Sequence, residues 1–121
     1  MSTGRGSAYG SGVAISPDEA QAFALSLPEA VEQDHHGRPS FRVGGKIFAT
    51  VWTEQRLNVM LDPGGVLTAV ERAPTACEEV WCGKRLVAVG VTLERVDPEH
   101  LRELLTDAWE QRAPKRLVTD R

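Results

Sequence analysis

The sequence predicts an α+β domain, an antiparallel β-sheet meander with N-terminal and C-terminal helices packed mainly on one face in a two-layer sandwich. Three observations predict it. Capped, proline-initiated helical stretches begin at Ser16-Pro17 and Asp97-Pro98, near the two ends of the chain. Between them lie short apolar-alternating runs separated by tight reversals, the clearest at Gly44-Gly45. A last strand, Val87 to Leu93, follows a short central helix rather than a hairpin.

At 121 residues, 41% of them apolar and 26% charged, the chain suits one domain with its own core. Such a chain buries roughly two-thirds of its unfolded surface. The core domain is expected over residues 13–117, with residues 1–12 as a Gly/Ser-rich flexible leader and 118–121 as a C-terminal tail. Neither a membrane span nor a secretory signal is legible, so a cytoplasmic location is expected.

The first helix opens on Ser16-Pro17-Asp18-Glu19, where Ser16 and Glu19 have capping-box spacing. Ala20, Phe23, Ala24 and Leu27 then form one stripe, and Pro28 ends it. Glu29 to Asp34 reads as a first edge strand, and His35-His36 as a loop or edge position. Adjacent histidines on extended backbone point to opposite sides and make a poor metal pair. A short strand starts at Phe41, and Lys46 to Thr53 alternates around Ile47, Ala49 and Val51, with Phe48 and Trp52 on the other side. Leu57, Val59 and Leu61 share one face of the next strand. Asp62-Pro63 opens the central helix through Val66, Leu67 and Val70, with Gly64-Gly65 weakening it. Thr75 to Gly83 reads as a connection or bent edge containing Trp81. Val87, Val89, Val91 and Leu93 form one apolar face of the last strand, opposite the small Ala88, Gly90 and Thr92. The final helix carries the stripe Leu101, Leu104, Leu105, Ala108 and Trp109, and a basic tail follows Pro114.

A net charge of −3 argues against an indiscriminate polyanion binder, yet the charge is unevenly distributed. Ser16 to Asp34 holds five carboxylates and no cation, whereas Arg38 to Arg56 and Arg112 to Arg121 each hold four cations and one carboxylate. The candidate phosphate-contacting residues are Arg38, Arg42 and Lys46 near the hairpin, Lys84 and Arg85 at the start of the last strand, and Lys115 and Arg116 in the tail. No nucleophile elbow, Walker-type phosphate loop or His-Glu-x-x-His pair is present, so no catalytic residue is assigned and a non-enzymatic protein is expected. No cofactor or metal site is assigned. The acidic stretch Asp18, Glu19, Glu29, Glu32 and Asp34 offers at most weak binding of hard cations. Cys77 and Cys82 are expected to be reduced structural thiols. A protein-interaction role, with the partner unspecified, would rest on exposure of Phe48, Trp52 or Trp81, residue types that more often lie in the core.

Three segments in this order, Gly37-Arg-Pro-Ser-Phe-Arg-Val-Gly-Gly-Lys-Ile-Phe-Ala49, Val87 to Trp109, and Ala113-Pro-Lys-Arg-Leu117, resemble the MmcQ/YjbR family of small bacterial proteins. The resemblance spans about Ser16 to Leu117. It implies a frataxin-like (CyaY-like) fold, and a DNA-binding role suggested by analogy with double-wing proteins, here for a monomer on double-stranded DNA. Family members commonly carry an aromatic residue where this chain has His36, and another where it has Leu86. Losing both platforms favours phosphate contact over base stacking.

Overall fold

The computed structural model describes residues 14–119. The elements run α1 (Pro17–Ser26), β1 (Val31–His35), β2 (Arg38–Val43), β3 (Lys46–Thr53), β4 (Arg56–Met60), α2 (Pro63–Arg72), β5 (Cys77–Cys82), β6 (Arg85–Thr92), α3 (Pro98–Arg112) and α4 (Lys115–Thr119). All six strands form one antiparallel sheet, ordered β1-β2-β3-β4-β6-β5. Helix α3 packs across β3 and β4, α2 across β5 and β6, and α1 against α3. The α+β, two-layer expectation is therefore met; the expected leader, 1–12, and residues 120–121 of the expected tail, 118–121, lie outside the described residues.

The helix starts are as the sequence dictates. Ser16 Oγ accepts the Glu19 N–H at 3.1 Å, and Glu19 Oε1 accepts the Ser16 N–H at 2.9 Å. Asp62 Oδ1 accepts the Gly65 N–H at 2.8 Å, which holds the start of α2 despite its two glycines. Asp97 caps α3 in the same way.

The core lies between the sheet and the helices, centred on Phe41, Phe48, Leu57, Val59, Val89, Val91, Leu101, Leu105 and Trp109, all essentially inaccessible. Trp109 also donates its indole N–H to the Pro28 carbonyl at 2.9 Å, tying α3 to the end of α1.

Two strand expectations needed correction, each because a bulge alters the simple alternation. Phe41 pairs with Ala49 but Arg42 pairs with Ile47, so Phe48 is an extra residue and joins Ala49 in the core, while Ile47 turns to the opposite face. A second irregularity, where Val80 pairs with Ala88 and Trp81 with Leu86, makes Val87 the extra residue. Val87 thus leaves the buried row of Val89, Val91 and Leu93. The segment after Thr75, read as a connection or bent edge, is the edge strand β5, bent by the irregularity at Val80/Trp81. The basic residues after Pro114 begin a further short helix, α4.

Candidate functional site

Strand register decides which charges meet. Ala49 pairs with Val59 and Met60 pairs with Ala88, so the start of β3, the end of β4 and the start of β6 lie at one end of the sheet. The Gly44-Gly45 and Gly83-Lys84 turns therefore emerge from that same end, on either side of β4, with Lys46, Lys84 and Arg85 exposed on them. Gly44 has φ +59, and a Cβ there would lie 3.0 Å from Pro114, so only glycine lets this turn lean on the chain after α3. That contact brings α4, with exposed Lys115 and Arg116, to the same end.

The other predicted residues are disposed differently. Arg38 and Arg42 share with Ser40 the sheet face that carries no helix. Lys46, paired with core-facing Val43, belongs to the opposite side, so the four-residue spacing of Arg38, Arg42 and Lys46 does not make one patch. Arg42 donates from Nε to Ser40 Oγ at 3.2 Å. Arg38 lies at the far end of β2, its guanidinium 4.1 Å from the centre of the Trp52 ring, and donates from Nε to the Trp52 carbonyl at 3.0 Å. Arg116 grips Glu29 with two bonds of 2.8 and 2.9 Å, and this partner holds the Glu29 carboxyl below its usual range.

Carboxylates collect at the opposite end, where Asp18, Glu54 and Glu94 line one groove beside Asp97 and Glu99 at the start of α3. Arg38 and Arg56 lie at that end as well, so the carboxylates there are interleaved with cations. The acidic stretch suggested for weak cation binding does not converge. Glu19 is committed to its capping box, Glu29 to Arg116, and Asp34 accepts the Gly37 N–H at 3.2 Å. Among the described residues no group of three or more His, Cys, Asp or Glu side chains could hold a metal ion. Cys77 is buried and Cys82 exposed, both as free thiols, and burial pushes the Cys77 thiol up.

Two features escaped sequence reasoning. The helix-free face of the sheet carries a groove of about 520 Å³ lined by Ile47, Thr50, Trp52, Arg56, Asn58 and Met60 among others, with edge-strand Trp81 at its wall. Phe48 is buried as composition suggests, but Trp52 and Trp81 are 45% and 54% exposed. The other is Arg112, which lines a groove of about 430 Å³ beside the basic turns, together with Arg85, Gln111 and Asp62. Its place in the last turn of α3 is legible in the sequence; the burial of its Nε is not.

These features define a two-layer α+β protein whose helices cover one side of an antiparallel sheet and whose cations gather on two hairpin turns at one end. The YjbR family model matches residues 25–111, and the chain belongs to the YjbR family. The crystal structure of Deinococcus radiodurans protein DR2400, containing domain DUF419, is similar to it with a TM-score of 0.67 and 22% identity, over 79% of this chain and 77% of that chain. That likeness bears on the fold. No curated protein matches the chain. Among the described residues no helix is long and apolar enough to cross a membrane.

Proposed function

We propose that this YjbR protein is a non-enzymatic DNA-binding protein that takes hold of duplex phosphates with its two hairpin turns. Lys46, Lys84 and Arg85 contact the backbone, and Lys115 flanks them. The observation that carries this reading is the emergence of both turns, with their cations, from one end of the sheet. Exposed cations on short turns neutralise phosphates without reading base edges, so binding is salt-sensitive and weakly selective for sequence.

Fluorescence anisotropy of a labelled duplex, titrated at low and at near-physiological salt, tests this. Binding should weaken steeply with salt. The Lys46→Ala/Lys84→Ala/Arg85→Ala variant should flatten the dependence of log K on log salt by about 2 to 3, while Arg38→Ala leaves it nearly unchanged. An unaltered slope in the triple variant refutes the turns as the contact surface, and absence of binding at low salt refutes the DNA reading itself.

The exposure of Trp52 and Trp81 favours a second reading, a protein interface on the helix-free sheet face. A partner held there is lost with Trp52→Ala and retained by the triple variant, the reverse of the pattern for DNA.

A further inference from the structure

Arg112 is anomalous. Its Nε is buried and has no hydrogen-bond partner, the one such buried side-chain atom among the described residues. Leaving a charged donor dry and unmatched costs more than leaving a neutral one, and the side chain that carries it lines a groove. The ion pairs of the described residues involve Arg56, Arg72, Arg102 and Arg116, and neither Arg112 nor Arg85.

Both unpaired arginines line the same groove of about 430 Å³, between the end of α3, the start of α2 and the start of β6. Met60, Leu61, Leu86 and Val87 give it an apolar wall, where a charge-assisted hydrogen bond is stronger than in open water. Two polar neighbours in the groove bond to backbone rather than to either arginine. Gln111 Oε1 accepts the Asp62 N–H at 3.1 Å, and Asp62 Oδ1 accepts the Gly65 N–H at 2.8 Å, turning that carboxylate toward the α2 cap.

We infer that this groove binds a phosphate group, held between the guanidinium groups of Arg85 and Arg112. Two planar forks match the several oxygens and the charge of about −1.5 to −2 of a phosphate monoester, whereas one carboxylate would leave a guanidinium unmatched. The Asp62 carboxylate lines the same groove and its charge opposes the anion, so the two guanidinium groups must outweigh it. The phosphate comes either from DNA or from a phosphorylated small molecule; only the first source rests on the function proposed above.

The test follows the arginine Nε–H signals of the full chain by ¹H–¹⁵N NMR during titration with inorganic phosphate, with sodium chloride at matched ionic strength as the control. The Arg112 and Arg85 signals should shift saturably with phosphate alone. Arg85→Ala, a change at an exposed position, should weaken phosphate binding about tenfold or more. If a short duplex without terminal phosphates moves the same two signals, the backbone is the source. If phosphate moves them and the duplex neither moves them nor binds in the anisotropy titration, the groove serves a phosphorylated small molecule and the DNA reading falls alone. The inference is overturned if phosphate leaves the signals in place, if chloride reproduces the shifts, or if Arg85→Ala binds phosphate as tightly as the parent chain.

Discussion

The two faces of the sheet exclude water by different means. On the helix side Phe41, Phe48, Leu57 and Val91 are covered by other elements, with Trp109 and the leucines of α3 filling the space. On the helix-free side Ser40, Thr50, Asn58 and Gly90 are nearly as inaccessible, yet no helix packs there. The long side chains of that face itself cover them. Arg56 lies flat over Gly90, donates from Nε to Asn58 Oδ1 at 3.3 Å and pairs with Glu78 at 2.9 Å, while Arg38 stacks on Trp52. Interlocked apolar volume stabilises the first face; movable polar stems shield the second. Burial alone does not distinguish core from adaptable surface.

The comparison is broken most severely on the packed side. Trp109→Ala removes a fully buried ring and the bond to Pro28, and should cost about 3–5 kcal/mol, read from the urea midpoint. A change of equal nominal burial on the other face should cost far less. A Cβ at Gly90 collides with the Arg56 guanidinium, but that is the end of a flexible chain, so Gly90→Ala should displace it, break the pair with Glu78 and cost about 1 kcal/mol. A cost as large as that of Trp109→Ala would show that the helix-free face is rigidly packed too.

Acidification sharpens the contrast further. Burial, assisted by Arg72 and opposed by Glu103 and Asp97, pushes the His100 pKa below its ordinary 6.5. The unfolded chain then binds the proton more readily than the folded one, so the contribution of His100 is full above pH 6.5 and is lost as pH falls through its lower folded value. The thermal midpoint should fall on acidification below pH 6.5, and His100→Gln should flatten that part of the profile. The smallest effect is expected for Trp52→Ala, which forfeits the stacking of Arg38 for about 0.5–1 kcal/mol in thermal or urea unfolding.

Much of the fold was legible because its signals are local. The Ser16, Asp62 and Asp97 caps, the proline at each first helical turn and the glycines at positions 44 and 45 fix boundaries through bonds a few residues apart. The burial of Phe48 against its expected side and the turning outward of Ile47 were not legible, and the stretch after Thr75 read equally as a connection or a bent edge. A bulge is set by cross-strand pairing, and an edge strand by the partner that accepts it, so neither leaves a period in the sequence. The candidate site divides along the same line. Lys46 sits on the recognisable Gly44-Gly45 turn and Lys84 and Arg85 at the recognisable start of the last strand, whereas Arg38 and Arg42, close to the same hairpin in sequence, lie on another face.

The sequence by itself determined the helices, the first hairpin, the apolar stripes that form the core, and an inventory of cations, since capping, turn chemistry and periodicity act over one or two turns of chain. Tertiary structure alone decided that two hairpin turns share one end, that Trp52 and Trp81 stay exposed, and that Arg112 reaches a groove beside Arg85 with its Nε unmatched. Those outcomes depend on strand register and helix placement, which join residues far apart in the chain and are settled only when the whole sheet closes on its helices.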